Sequence, residues 1–227
     1  MIEILCIIPA RSGSKGIIDK NIIDYNGKPL LSWSIIQAKN SKYKMKIIVS
    51  TDSEKYKKIA IEYGAEVPFL RPPEISQDLS TDFECINHCV KWLEKNENYK
   101  SDIILHLRPT SPNRSVTLVD DCLDNFIKNR SNYDSLRSVI PFDKSPFKMY
   151  KISNNHLLPL FRSIDDIYEP YNQARQILPQ CYLHNGYVDI LNTNILQYST
   201  ISGNKILPYI MKEEHNIDID NQKDLFS

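Results

Sequence analysis

No apolar run in this chain of 227 residues approaches the roughly 20 residues that a membrane-spanning helix needs. A membrane-spanning protein is therefore not expected. Charge of one sign is missing too, because 28 Lys and Arg meet 28 Asp and Glu. With no global field, nothing draws the chain to nucleic acid or to anionic lipid, and basic clusters are read as local sites. The opening Met1-Ile-Glu-Ile-Leu-Cys-Ile-Ile-Pro9 has neither a basic leader nor a small-residue cleavage site, so it is expected to be structure, not a signal peptide. Five cysteines (6, 85, 89, 122 and 181) show no repeated C-x-x-C spacing. An odd, unpatterned set predicts reduced thiols and a cytoplasmic protein. Cys85, His88 and Cys89 lie close together on a predicted helix, but no second ligand pair follows. The expectation there is burial as small apolar side chains. Internal repeats and low-complexity tracts are also absent.

What is present suits a single globular domain over residues 1–227: 41% hydrophobic and 25% charged residues, enough to bury one full-sized core. The first half alternates between two periodicities. Residues 4–8 form a continuous apolar run, as a strand covered on both faces requires. Residues 29–38 carry Leu30, Leu31, Ile35 and Ala38 at helical spacing. Strands are predicted over 46–50, 67–70, 103–107 and 135–140. Helices are predicted from the Ser53 cap to near Gly64, over 83–95 and over 117–128. This alternation predicts an α/β fold with a mostly parallel, Rossmann-like sheet flanked by helices. Ligands of such sheets bind at the carboxyl ends of the strands, which directs attention to the loops after Ile8, Ser50 and Leu107.

From 141 to 180 the rhythm breaks. Pro141, Pro146, Pro159, Pro170 and Pro179 are interleaved with Phe142, Phe147, Tyr150, Phe161, Tyr168 and Tyr171. A disordered linker does not carry so many rings, so this excursion is expected to pack against another subunit. Strands over 187–191 and 206–210 follow, and the chain closes with Asn216-Ile-Asp-Ile-Asp220.

Two constellations point to chemistry. Pro9-Ala-Arg-Ser-Gly-Ser-Lys-Gly16 combines small residues with Arg11 and Lys15, and Lys20 follows. Close backbone N–H groups with neutralising cations suit a triphosphate. The loop is not a Walker A motif, because no Gly precedes Lys15 and no Ser or Thr follows it, nor is it G-x-G-x-x-G. In Asp218-Ile-Asp220, a strand would direct both carboxylates to one side, where Mg²⁺ would relieve their repulsion. Arg71 and Arg108, each at the predicted end of a strand, are further candidates. His106 and His184 are read as structural, leaving no evident His base.

In order along the chain, Ile8-Pro-Ala-Arg-Ser-Gly-Ser-Lys-Gly16 with Lys20-Asn21, Val49-Ser-Thr-Asp52, Leu70-Arg-Pro72, Arg108-Pro-Thr-Ser-Pro112, Arg175-Gln-Ile-Leu-Pro-Gln180 with Asn185-Gly186, and Ile217-Asp-Ile-Asp220 resemble one family. It is that of the acylneuraminate cytidylyltransferases, which make CMP-sialic acids and related CMP-nonulosonates. The resemblance implies a nucleotidyltransferase fold, CTP as donor, Mg²⁺ as metal and an acidic 2-keto-3-deoxy sugar as acceptor. It places Arg11, Ser14, Lys15, Lys20, Asn21, Arg71 and Thr81 on the nucleotide, with Arg11 and Lys15 catalytic. Arg108, Lys148 and Arg175 would face the sugar, and Asp218 and Asp220 would hold the metal. The 141–180 excursion matches a dimerisation insertion, implying a homodimer. Two departures stand out: Arg108 where Gln is commoner, and Asp189 where commoner members are apolar. A guanidinium at 108 implies an acceptor with an extra acyl or acidic group. Two alternatives remain, a same-fold nucleotidyltransferase for another sugar and a non-catalytic nucleotide-binding scaffold. Intact Lys15, Asp218 and Asp220 speak against the scaffold.

Overall fold

Residues Ile4 to Ile8 are all buried because β1 (Ile4–Pro9) lies inside a sheet with helices on both faces. A computed structural model describes residues 2–212, 219 and 223–224 of the chain. The other strands of its central sheet are β2 (Lys46–Ser50), β3 (Ile103–His106), β4 (Ser135–Phe142), β5 (Cys181–Asn192) and β6 (Ile206–Ile210). They lie in the order β6-β4-β5-β3-β1-β2. The β1–β2, β1–β3 and β4–β6 pairs are parallel, and β5 runs antiparallel to both of its neighbours.

The apolar run of β1 divides by side-chain alternation. Ile4, Cys6 and Ile8 face a layer containing α1 (Leu30–Asn40), α2 (Glu54–Glu62) and α4 (Val116–Asn129). Leu5 and Ile7 face α3 (Asp82–Glu97), which contributes Ile86, Cys89, Val90 and Leu93. Each such side chain removed from water contributes on the order of 1.5–3 kcal/mol. α2 starts where the sequence placed its cap, and α3 starts at a cap that the sequence reading did not name. Ser53 accepts from the Tyr56 backbone N–H at 3.4 Å, and Thr81 with Glu84 forms a capping box. The cysteines at 6, 85, 89 and 122 are buried free thiols, and burial pushes the Cys6 thiol up to about 12.

Two expectations change. Residues 67–70 form no strand: only Glu66 bridges to Ile48, exchanging backbone bonds with Ile47 and Val49. Pro68 has no N–H to continue a ladder, and the chain leaves the β2 edge. The strand expected over 187–191 extends over Cys181–Asn192 and carries a bulge between His184 and Asp189. The excursion leaves β4 at Phe142 and returns to pair with it at Cys181. In between are short hairpins, Tyr150–Ser153 with His156–Pro159 and Ser163–Ile164 with Ile167–Tyr168. Phe147 meets Phe161 and Tyr150 meets Tyr171, while Ile152, Leu157 and Tyr168 stay 77%, 66% and 73% exposed. No helix among the described residues is long and apolar enough to cross a membrane.

Candidate active site

At the carboxyl ends of β1, β2 and β3 the chain forms a cleft of about 210 Å³. Of the loops singled out from sequence, those after β1 and β3 line it, and the end of β2 meets it through Arg71. Arg11, Ser14, Lys20, Asn21, Arg71, Thr81 and Arg108 line it, with Ser80, Asp82 and Thr110.

The loop after β1 is held from several sides. Asp52, just past β2, accepts from the Ser12 backbone N–H at 2.8 Å and from its hydroxyl at 2.9 Å. Buried Asn21 donates its amide to the Arg11 carbonyl at 2.9 Å. Asp19, left-handed at φ 54°, receives Lys55 at 2.9 Å and the buried Tyr56 hydroxyl at 3.0 Å from α2. This scaffold presents Arg11 and Lys15 to the same carboxylate. Arg11 Nη1 lies 2.8 Å from Asp78 Oδ1, and Lys15 Nζ bonds Asp78 Oδ2. The hydrogen bonds from Lys15 and then Arg11 hold the Asp78 carboxyl below its usual range. Lys15 does not line the cleft itself, and its side chain is 82% exposed.

Arg71 is buried and turned onto the end of β2. Its Nε donates to Ser50 Oγ at 3.1 Å, and its Nη2 donates to the Ser50 carbonyl. Thr81 serves first as the cap of α3, with its hydroxyl between Glu84 N and Glu84 Oε2. Arg108 spans two carboxylates, donating to Asp189 Oδ2 at 2.7 Å and Asp82 Oδ2 at 2.8 Å. Its carbonyl receives Arg114, a buried guanidinium that stacks over Tyr187. Its Nη1 also contacts the Gly186 carbonyl at 3.4 Å. Gly186 sits in the β5 bulge at φ +64°, and a Cβ there would lie 3.1 Å from Arg108 Nη1.

Other expected site residues fall elsewhere. Lys148 is not at the cleft: its Nζ donates to the carbonyls of Gln173 at 2.5 Å and Tyr171 at 3.4 Å, bracing the excursion. Arg175 is exposed in the turn Arg175–Ile177, beside Phe142, Asp143 and Ser145. Asp218 and Asp220 lie outside the described residues. Ile219 between them is buried against Ile17, Tyr25 and Leu30, and its N–H donates to the Thr110 carbonyl at 2.8 Å. His106 and His184 are embedded in structure, as read from sequence. Burial drives the His106 pKa down to about 4, leaving it neutral, and His184 Nε2 meets Asp189 Oδ1 at 2.8 Å.

The family model described as cytidylyltransferase matches residues 5–191. This chain belongs to the cytidylyltransferase family. As a cytidylyltransferase it is a nucleotidyl-transferring enzyme. It is 34% identical over 223 residues to the N-acylneuraminate cytidylyltransferase of Escherichia coli O18:K1:H7, covering 98% of this chain and 50% of that protein. This chain therefore spans about half the length of that relative. It is 31% identical over 228 residues to the CMP-N,N'-diacetyllegionaminic acid synthase of Campylobacter jejuni, covering 99% of this chain and 92% of that one. Among solved structures, CMP:2-keto-3-deoxy-manno-octonic acid synthetase complexed with CTP superposes with a TM-score of 0.69 at 16% identity. That likeness covers 99% of this chain and 95% of that one, and shows a shared fold.

Sequence reasoning missed Asp82, which lines the cleft, and the acids Asp78 and Asp189 that pair with Arg11, Lys15 and Arg108. Asp78 and Asp82 flank Thr81 without any motif of their own, and Asp189 registered only as a departure from the commoner pattern.

Proposed function

We propose that the enzyme transfers CMP from CTP to the anomeric 2-hydroxyl of a nonulosonic acid of sialic, legionaminic or pseudaminic type, releasing pyrophosphate. The observation that carries this is the cleft, in which Arg11, Ser14, Lys20, Asn21 and Arg71 converge at three strand ends of a cytidylyltransferase-family chain. The names of the two curated relatives support the acceptor class. The reaction needs in-line positioning of the hydroxyl on the α-phosphorus and neutralisation of charge on the departing oxygens. Arg11 and Lys15 suit the neutralising role, because Asp78 already brings both cations onto one anionic group. Asn21 orients the Arg11 backbone, and Arg71 and Thr81 serve the cytidine side.

Asp218 and Asp220 would hold Mg²⁺. The buried anchor at Ile219 and its bond to Thr110, a cleft residue, fit a metal position beside the nucleotide. Bound there, the ion would offset triphosphate charge. The direct test measures pyrophosphate release with Mg²⁺ and a panel of nonulosonic acids. CTP is expected to be consumed far faster than ATP, GTP or UTP, and equal turnover of a purine triphosphate would reject CMP transfer.

The protein works as a homodimer in this reading. The exposed Ile152, Leu157 and Tyr168 of the excursion give it an apolar face to bury. Because Lys148 and Arg175 lie outside their own chain's cleft, they act on the acidic sugar only by reaching the neighbouring subunit's site. Mixing Lys15→Ala with Arg175→Ala subunits tests this. Each mixed dimer then carries one site with both lesions and one with neither, so random exchange restores roughly a quarter of wild-type activity. No recovery after demonstrated exchange rejects the shared site.

A further inference from the structure

At the rim of the cleft, an acid holds the two cations that the proposed chemistry needs for phosphate. The segment that carries it closes on itself. Ser80 N–H donates to the Gln77 carbonyl at 3.1 Å, and Gln77 N–H donates to Ser80 Oγ at 2.9 Å. Asp78 and Leu79 are therefore the central residues of a tight turn. Both flanks of that turn are fixed. Ser76 Oγ donates to the Pro72 carbonyl at 2.9 Å, and Thr81 opens α3 with its capping box. Leu79 is 93% exposed, so the tip stands in solvent. The Asp78 carboxylate is thus presented at a set place opposite the loop after β1, where each of its oxygens takes a different cation.

The other acids around this loop are engaged elsewhere. Asp52 holds Ser12, Asp19 takes Lys55 and the Tyr56 hydroxyl, and Asp82 takes Arg108. Lys20 and Arg71 line the cleft as further cations. Arg11 also lines it, whereas Lys15 points to Asp78 from outside. A triphosphate carries several negative charges against one on the carboxylate. It can draw Lys15 inward on its flexible four-carbon stem, because ion pairs this exposed are weak. The exchange also runs backwards. Once CMP has been transferred, pyrophosphate is left on the cations. A carboxylate held beside them competes with it at the high effective concentration of a tethered group.

We propose that Asp78 is an internal competitor for Arg11 and Lys15, yielding them to the triphosphate of CTP and recapturing them as pyrophosphate leaves. The inference rests on those two cations holding the triphosphate, as in the function proposed. It makes Asp78 a residue of product release and not of the bond-forming step. A carboxylate has the same sign as the departing oxygens and does not stabilise them.

The test follows inorganic pyrophosphate. Its Kd is measured by calorimetry without acceptor, and its Ki against CTP is measured during CMP transfer. Asp78→Asn is expected to tighten both about fivefold, the scale of two exposed ion pairs removed from the competition. The first turnover should stay within about twofold of wild type, because the bond-forming step does not use the carboxylate. Asp78→Glu keeps the charge and should hold both constants within about twofold of wild type. Glu74→Gln removes an exposed charge from the same loop but leaves the Asp78 pairs in place, and should also stay within about twofold. Equal tightening in Glu74→Gln would make the effect one of general field and overturns the proposal. So does Asp78→Asn with pyrophosphate binding unchanged or weakened, or with a first turnover slowed more than about fivefold. Lys15→Ala is expected to weaken pyrophosphate about tenfold, the scale of one charge-assisted contact. If it does so while Asp78→Asn tightens nothing, the role of Asp78 fails and the phosphate role of Lys15 stands. If Lys15→Ala binds pyrophosphate as wild type does, the cation does not hold phosphate, and this inference falls with that assignment.

Discussion

Lys15→Ala is expected to lower kcat/KM for CTP by about 10²–10³-fold, or ~3 kcal/mol of transition-state stabilisation, the usual scale for removing one preorganised charge partner. Its side chain is 82% exposed and its partner Asp78 is itself on the surface. An exposed pair of this kind contributes little to folding, so the melting temperature should barely move. The loss would thus be read in catalysis alone. Arg11→Ala is expected to behave alike, with the bond from its guanidinium to the Gly13 carbonyl lost as well. Asp78→Asn provides the opposite sign. It takes away the internal carboxylate that occupies both cations, so KM for CTP should be equal to wild type or lower. Pyrophosphate release at saturating acceptor, with each variant's melting curve, checks all three. Lys15→Ala activity within tenfold of wild type would leave that residue a surface charge.

Asp218→Asn and Asp220→Asn are expected to cost about 10³-fold in turnover, because each removes a carboxylate from the proposed Mg²⁺ site, where the ion is worth several kcal/mol. Folding should persist, since the group that anchors the segment is Ile219, buried and bonded through its backbone to Thr110. A readout besides activity separates metal loss from misfolding. In wild type, Mg²⁺ should raise the melting temperature in the presence of CTP, and in either variant that increment should shrink. Near-normal turnover at low Mg²⁺ would show the aspartate concerned to be a solvated edge charge.

Features that rest on neighbours along the chain were legible in the sequence. The unbroken apolar run of β1 required cover on both faces, and the structure supplies it through alternate residues. The cap at Ser53 is a contact within one turn. The cations after β1 belonged at a strand end, and Arg11 and Lys20 do line the cleft there, while Lys15 stands outside it. Local pattern failed where the deciding partner was remote or an element was spoiled by one residue. Pro68 left the stretch 67–70 with its apolar composition but without a ladder.

The state of Arg108 was settled by the fold. Its carboxylates are 26 and 81 positions away in sequence. They are delivered by the first turn of α3 and by a bulged antiparallel strand inserted beside β3. Neither distance nor register is encoded in a local motif, because strand pairing brings residues together by backbone hydrogen bonding, whatever their separation along the chain. The same holds for Lys148 and Arg175, placed by the excursion outside their own cleft. Sequence could thus say which charges the protein owns, but only the fold could say which of them are already neutralised and which remain to meet a substrate.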